Sequence, residues 1–125
     1  MSIKQIFCIR DAKAEAFHQP FFSQTKGAAI RAIADYANEK NSPLNKHPED
    51  YMLFHIGAFH EISGEIRGLE QPEPIISVLE LMTDTPLTKE NTQQMQEIRK
   101  ANGLPPLPGQ KDLEQAIADA VNKNQ

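Results

Sequence analysis

A chain of 125 residues, 39% of them apolar, suffices for one modest core and seldom for two, so one folded domain with a tail is expected. The single cysteine, Cys8, excludes an intramolecular disulfide and points to a reducing, cytoplasmic compartment, while the formal charge of −4 excludes a protein that coats nucleic acid by bulk charge. No apolar run reaches the ~18–20 residues of a membrane span, and the first residues, with Lys4 and Arg10, lack the apolar stretch of a secretion signal.

The charge is uneven. Residues 1–50 hold seven Lys/Arg against six Asp/Glu and residues 51–125 hold six against eleven, so any nucleic-acid surface belongs to the first half.

In chain order, Ile3 to Ile9 crowds Ile, Phe and Cys as in a strand buried on both faces, ending near Arg10-Asp11. A turn-rich passage around His18-Gln19-Pro20 follows. Ser23 and Thr25 then precede Ile30, Ile33, Ala34 and Ala37 at helical spacing, with Pro43 beyond, which predicts a helix from about Thr25 to Glu39. Tyr51 to Ile56, the turn Glu61-Ile62-Ser63-Gly64 and Glu65-Ile66-Arg67 have the shape of an antiparallel hairpin. Ile75 to Met82 fits a short helix or an edge strand, and the reading leans to helix.

The chain divides near Met82, because all six Phe and both Tyr precede it and the last 43 residues contain no aromatic. Residues 1–82 form the expected compact domain and 83–125 a helical tail interrupted at Thr85-Pro86 and Asn102 to Gly109. One tail segment opens at Thr88 with Met95 and Ile98 spaced i, i+3; the other places Leu113, Ile117, Ala120 and Val121 at i, i+4, i+7, i+8. The predicted fold is α+β: a small, mainly antiparallel sheet of three or four strands packed against one long helix, in two layers, with a helical C-terminal tail.

Nothing here predicts an enzyme. His47-Pro48-Glu49-Asp50 lacks the i, i+4 histidine pair of a zinc protease, and its proline forbids regular helix, so a solvated turn presenting Tyr51 is preferred to a metal site or a docking surface. His55 and His60 read as half-buried structural groups and Cys8 as an inert buried thiol. With no phosphate-cradling glycine loop, dinucleotide fingerprint or nucleophile elbow, no catalytic residue, metal or cofactor is expected.

Binding residues do stand out. Arg10, Lys13, Lys26 and Arg31 are candidate phosphate contacts, because cations hold phosphates. Phe21 and Phe22 are candidate stacking residues; neighbours in an extended segment point to opposite sides, so one of them is free to stack on a base. The competing reading makes both phenylalanines core, pairs Arg31 with Asp35 one turn on, and leaves Lys26 a solvated charge.

The run Lys4-Gln5-Ile6-Phe7-Cys8-Ile9-Arg10-Asp11-Ala12-Lys13-Ala14-Glu15-Ala16-Phe17 opens a series of linked motifs. It is followed by Gln19-Pro20-Phe21-Phe22, Gly27-Ala28-Ala29-Ile30-Arg31, and Lys46-His47-Pro48-Glu49-Asp50-Tyr51-Met52-Leu53-Phe54. In that order they resemble the small non-structural protein of gokushovirus-type microviruses, the C-protein family of single-stranded DNA phages. The likeness continues through Gly57-Ala58-Phe59, with His60 and Ser63 where the family tends to an acidic residue and threonine, and it covers about residues 1–82. It implies a role in the host cytoplasm, associating with the viral replication complex and directing new single-stranded genomes into procapsids. Two modes of action remain open: direct binding of DNA, single-stranded by preference, or a protein adaptor joining the replication complex to the procapsid protein without touching DNA. An uncovered sheet edge would favour a homodimer.

Overall fold

In the computed structural model, which describes residues 2–85 and 88–107, β1 (Ile3–Asp11) lies inside a five-stranded antiparallel sheet. Two short strands, β2 (Ala16–Phe17) and β3 (Phe21–Ser23), share one side of β1, while β4 (Tyr51–His60) takes the other and β5 (Ile66–Ser77) pairs outward from β4. The expected three or four strands become five because β2 and β3, two and three residues long, are too short to show alternation.

α1 (Lys26–Ala37) starts where Thr25 Oγ1 accepts the Ala28 N–H at 3.1 Å, and it buries Ala29, Ile33 and Ala37 at i, i+4, i+8. That stripe packs on Phe7, Ile9, Leu53 and Val78, with Phe21 and Tyr51 at its border, forming the main core on what we call the inner face. Asn38 closes the helix and ties it to the chain beyond β5: its amide donates to Ala34 O and Leu81 O, and its Oδ1 accepts from the Thr83 N–H. A short α2 (Pro43–Lys46), capped by Ser42, inserts Leu44 into the same core. The turn Pro48–Asp50 then leads directly into Tyr51, as a rigid presenting turn requires.

The β4–β5 hairpin turns at Glu61–Gly64, where Gly64 takes the left-handed φ of +76°. β4 carries a bulge: Ile6 pairs with Gly57 and Phe7 with His55, leaving Ile56 as the extra residue. Gly57 is required there, since a Cβ would lie 2.5 Å from the Arg67 carbonyl oxygen. Ile75 to Met82 divides its structure, correcting the helical preference: Ile75–Ser77 completes β5 through pairing of Ile76 with Leu53 and Ser77 with Met52, and only Val78–Leu81 coils, as a 3₁₀ turn. Ladder bonds with β4 override local propensity in the first half.

The single long helix is joined by a second of similar length. α3 (Lys89–Ala101), capped by Thr88 Oγ1 on the Asn91 N–H, lies against the other face of the sheet; there Ile98 and Leu104 pack on Cys8, Met52 and Phe54, and Met95 is buried. Arg99 and Glu80 form an ion pair of 2.7 Å with both side chains largely buried, and Gln96 clamps Leu107 through two bonds of 2.7 Å. The expected two layers are thus three over part of the sheet, and Phe7 to Ile9 is buried on both faces for that reason. The segment predicted at Leu113, Ile117, Ala120 and Val121 lies outside the described residues. Among the described residues, no helix is long and apolar enough to cross a membrane.

Candidate nucleic-acid interface

The sheet separates the six predicted binding residues. Phe21 turns inward against Phe7, ring centroids 5.9 Å apart, at the edge of the main core. Lys26 and Arg31 stand on α1, on that same side of the sheet; the Lys26 ammonium is held by Glu73, whose carboxyl this bond keeps below the usual carboxylate range. Arg31 is exposed on the helix surface facing away from the core stripe. Lys13 sits on the exposed turn after β1, where its backbone N–H and that of Ala14 donate to Asp11 Oδ1. Only Phe22 and Arg10 reach the outer face.

That face is assembled from alternate residues of β1 and their partners. Lys4, Ile6, Cys8 and Arg10 point outward from β1, with Phe22 opposite Ile6, Phe17 opposite Arg10 and Phe59 opposite Lys4. Phe22 is 52% exposed and its ring lies 5.4 Å from that of Phe59. Toward the other end, Phe17, 45% exposed, stands edge-on to Phe54 at 5.3 Å, with the Arg10 guanidinium 5.9 Å from its ring centre. The two aromatic groups are separated by the four steps along β1 from Ile6 to Arg10, about 13 Å of strand.

Sequence reading missed Phe59, and the reason is the bulge. Phe54 and Phe59 are five residues apart and would face opposite ways on a regular strand; the extra residue Ile56 brings both to the outer face. The signal was Gly57, since a glycine inside a strand pattern marks a bulge or a close backbone approach. Lys4 escaped because its value lies in its neighbour Phe59, which comes from a distant strand.

α3 covers one end of this face and leaves a groove of about 290 Å³, lined by Arg10, Glu49, Asp50, Met52, Ile98 and Asn102 among others. The acids at its rim place Arg10 between an aromatic surface and a negatively charged wall. Tyr51, whose ring borders the inner core behind this wall, has its hydroxyl pKa raised by burial first and by Asp11 and Asp50 next. His47, Glu49 and Asp50 bring ligand atoms within 4.8 Å of one another, but His47 is exposed on the turn and approaches Glu49 only at 3.9 Å. His55 has a structural role: its Nε2–H donates to Gln5 Oε1 at 2.8 Å and to Gly57 O at 3.1 Å, and its ring packs on Phe7. Burial pushes the Cys8 thiol pKa up, which disfavours the reactive thiolate.

Residues 4–81 match the model of a family described as Phage ORF5 protein. No curated protein and no solved structure matches the chain.

Proposed function

The chain belongs to the Phage ORF5 protein family, and from that premise we propose that it binds single-stranded DNA on the outer face of its sheet and helps direct newly replicated genomes into procapsids. The packaging role follows the finer likeness of residues 1–82 to the non-structural protein of gokushovirus-type microviruses. The observation that carries the DNA reading is the pairing of exposed Phe22 with half-buried Phe59, with exposed Phe17 further along the same face and Lys4 and Arg10 beside the rings. Unpaired bases present flat apolar faces that stack on such rings, and the cations meet the phosphates between them. A duplex keeps its bases stacked inside, so a flat aromatic sheet surface selects single strands. The chemistry asks for no metal, cofactor or catalytic group.

Photo-cross-linking tests the placement. An oligonucleotide carrying bromouracil, irradiated with the full chain, is expected to cross-link to peptides containing Phe17, Phe22 or Phe59. Cross-links confined to α1, or none at all, would contradict this interface. One observation favours the adaptor reading: the groove between α3 and the Pro48–Asp50 turn has an acidic rim that suits a basic protein segment and repels phosphate. On that reading the replication complex or procapsid protein is captured while DNA is ignored, and the cross-linking experiment returns nothing.

A further inference from the structure

Among the described residues no strand pairs with the outer edge of β5, and that edge is built differently along its two halves. The second half carries Pro72 and Pro74, which cannot donate a ladder hydrogen bond and so discourage further pairing. From Glu65 to Glu70 there is no proline. There His60 N–H donates to Glu65 O at 2.9 Å, and because bonded and unbonded pairs alternate in an antiparallel ladder, Ile66, opposite Phe59, turns its N–H and C=O away from β4. Gly68, opposite Gly57, does the same. The whole stretch 61–73 is exposed, with Ile62 and Ile66 at 85% and 64%. An open backbone edge flanked by bare isoleucine is a template for another strand.

The charges identify that strand. Glu65 and Arg67 flank Ile66 and bond to each other across it, which lowers the Glu65 pKa and raises that of Arg67. In an antiparallel pairing of two identical edges centred on Ile66, each Glu65 falls opposite the other copy's Arg67, and the two isoleucines meet beside Phe59 on the outer face. Centring one residue on, at Arg67, would oppose two like charges, which is unfavourable; centring on Gly68 would pair no charges at all. The edge is therefore complementary to itself in one register.

We propose that a second copy of this chain adds to the Glu65–Gly68 edge of β5 about a two-fold axis at Ile66, forming one continuous sheet. Such an axis is perpendicular to the sheet, so both outer aromatic faces lie on the same side and their footprints join. The dimer itself stands independently of DNA binding.

Sedimentation equilibrium of the full chain, without DNA, tests it. The wild type is expected to be a concentration-dependent dimer. Arg67→Glu, which sets like charges opposite each other, is expected to weaken it about tenfold or more, and the swap Glu65→Arg with Arg67→Glu to restore it. Ile66→Pro removes an outward N–H without breaking a bond to β4 and is expected to give a monomer whose circular dichroism remains folded. A wild-type monomer at all concentrations would overturn the proposal, as would a dimer indifferent to both Arg67→Glu and Ile66→Pro.

Discussion

Phe21 meets Phe7 on the inner side of the sheet and Phe22 meets Phe59 on the outer side, so truncating each one reads out in a different assay. Phe21→Ala removes part of the main core and is expected to cost about 2–3 kcal/mol in urea unfolding, below a fully buried phenylalanine because this ring is only partly covered. Phe22→Ala is expected to leave the unfolding midpoint nearly unchanged and to weaken single-stranded DNA binding about tenfold, within the range of one lost base stack. The alternation of adjacent residues made this division legible in the sequence; which of the two turned outward was not, because it depends on β3 pairing with β1 in the register Phe7–Phe21. Gly57 carries a third expectation. Gly57→Ala forces a methyl to 2.5 Å from the Arg67 carbonyl, where backbone must move, and is expected to destabilise the fold by about 1–3 kcal/mol.

At the scale of elements, α1, the hairpin and the first tail helix were readable because each carries its own punctuation: Thr25 and Thr88 as caps, Gly64 at the turn, and apolar residues at the helical period. How the elements dock was not readable, since it rests on pairs remote in sequence. Lys26 with Glu73 and Arg99 with Glu80 are 47 and 19 positions apart. The second pair fixes α3 to the 3₁₀ turn after β5, and Arg99→Ala leaves Glu80 buried without its cation, at a cost of about 3 kcal/mol measured by urea unfolding. For the same reason, cutting the chain after Met82 uncovers Cys8, Met52 and Phe54. The first pair gives a pH dependence. Bonding to Lys26 holds the Glu73 pKa below its unfolded value, so its contribution is present above the ordinary carboxylate range and is lost as pH falls through the lowered value. Both side chains are about half exposed, so the effect is roughly 0.5 kcal/mol. The stability difference between wild type and Glu73→Gln, followed by urea midpoints, is expected to be present at neutral pH and to vanish in acid.

For the molecule as a whole, the net charge of −4 and the basic first half pull in opposite directions, and the fold shows how both fit one chain. Glu49 and Asp50 line the groove where α3 closes one end of the outer face, while Lys4, Phe22 and Phe59 occupy the open end. Affinity drawn from a few cations and several rings is moderate, salt-dependent through the cations, and tolerant of base sequence. The most direct measurement is fluorescence anisotropy of labelled single-stranded and duplex DNA titrated with the full chain from low to physiological salt, alongside Phe22→Ala/Phe59→Ala and Lys4→Ala/Arg10→Ala. The account predicts preference for single strands, a fall in affinity for the aromatic variant at every salt, and a shallower salt slope for the cation variant. No binding at low salt, or binding that both variants leave unchanged, would contradict it.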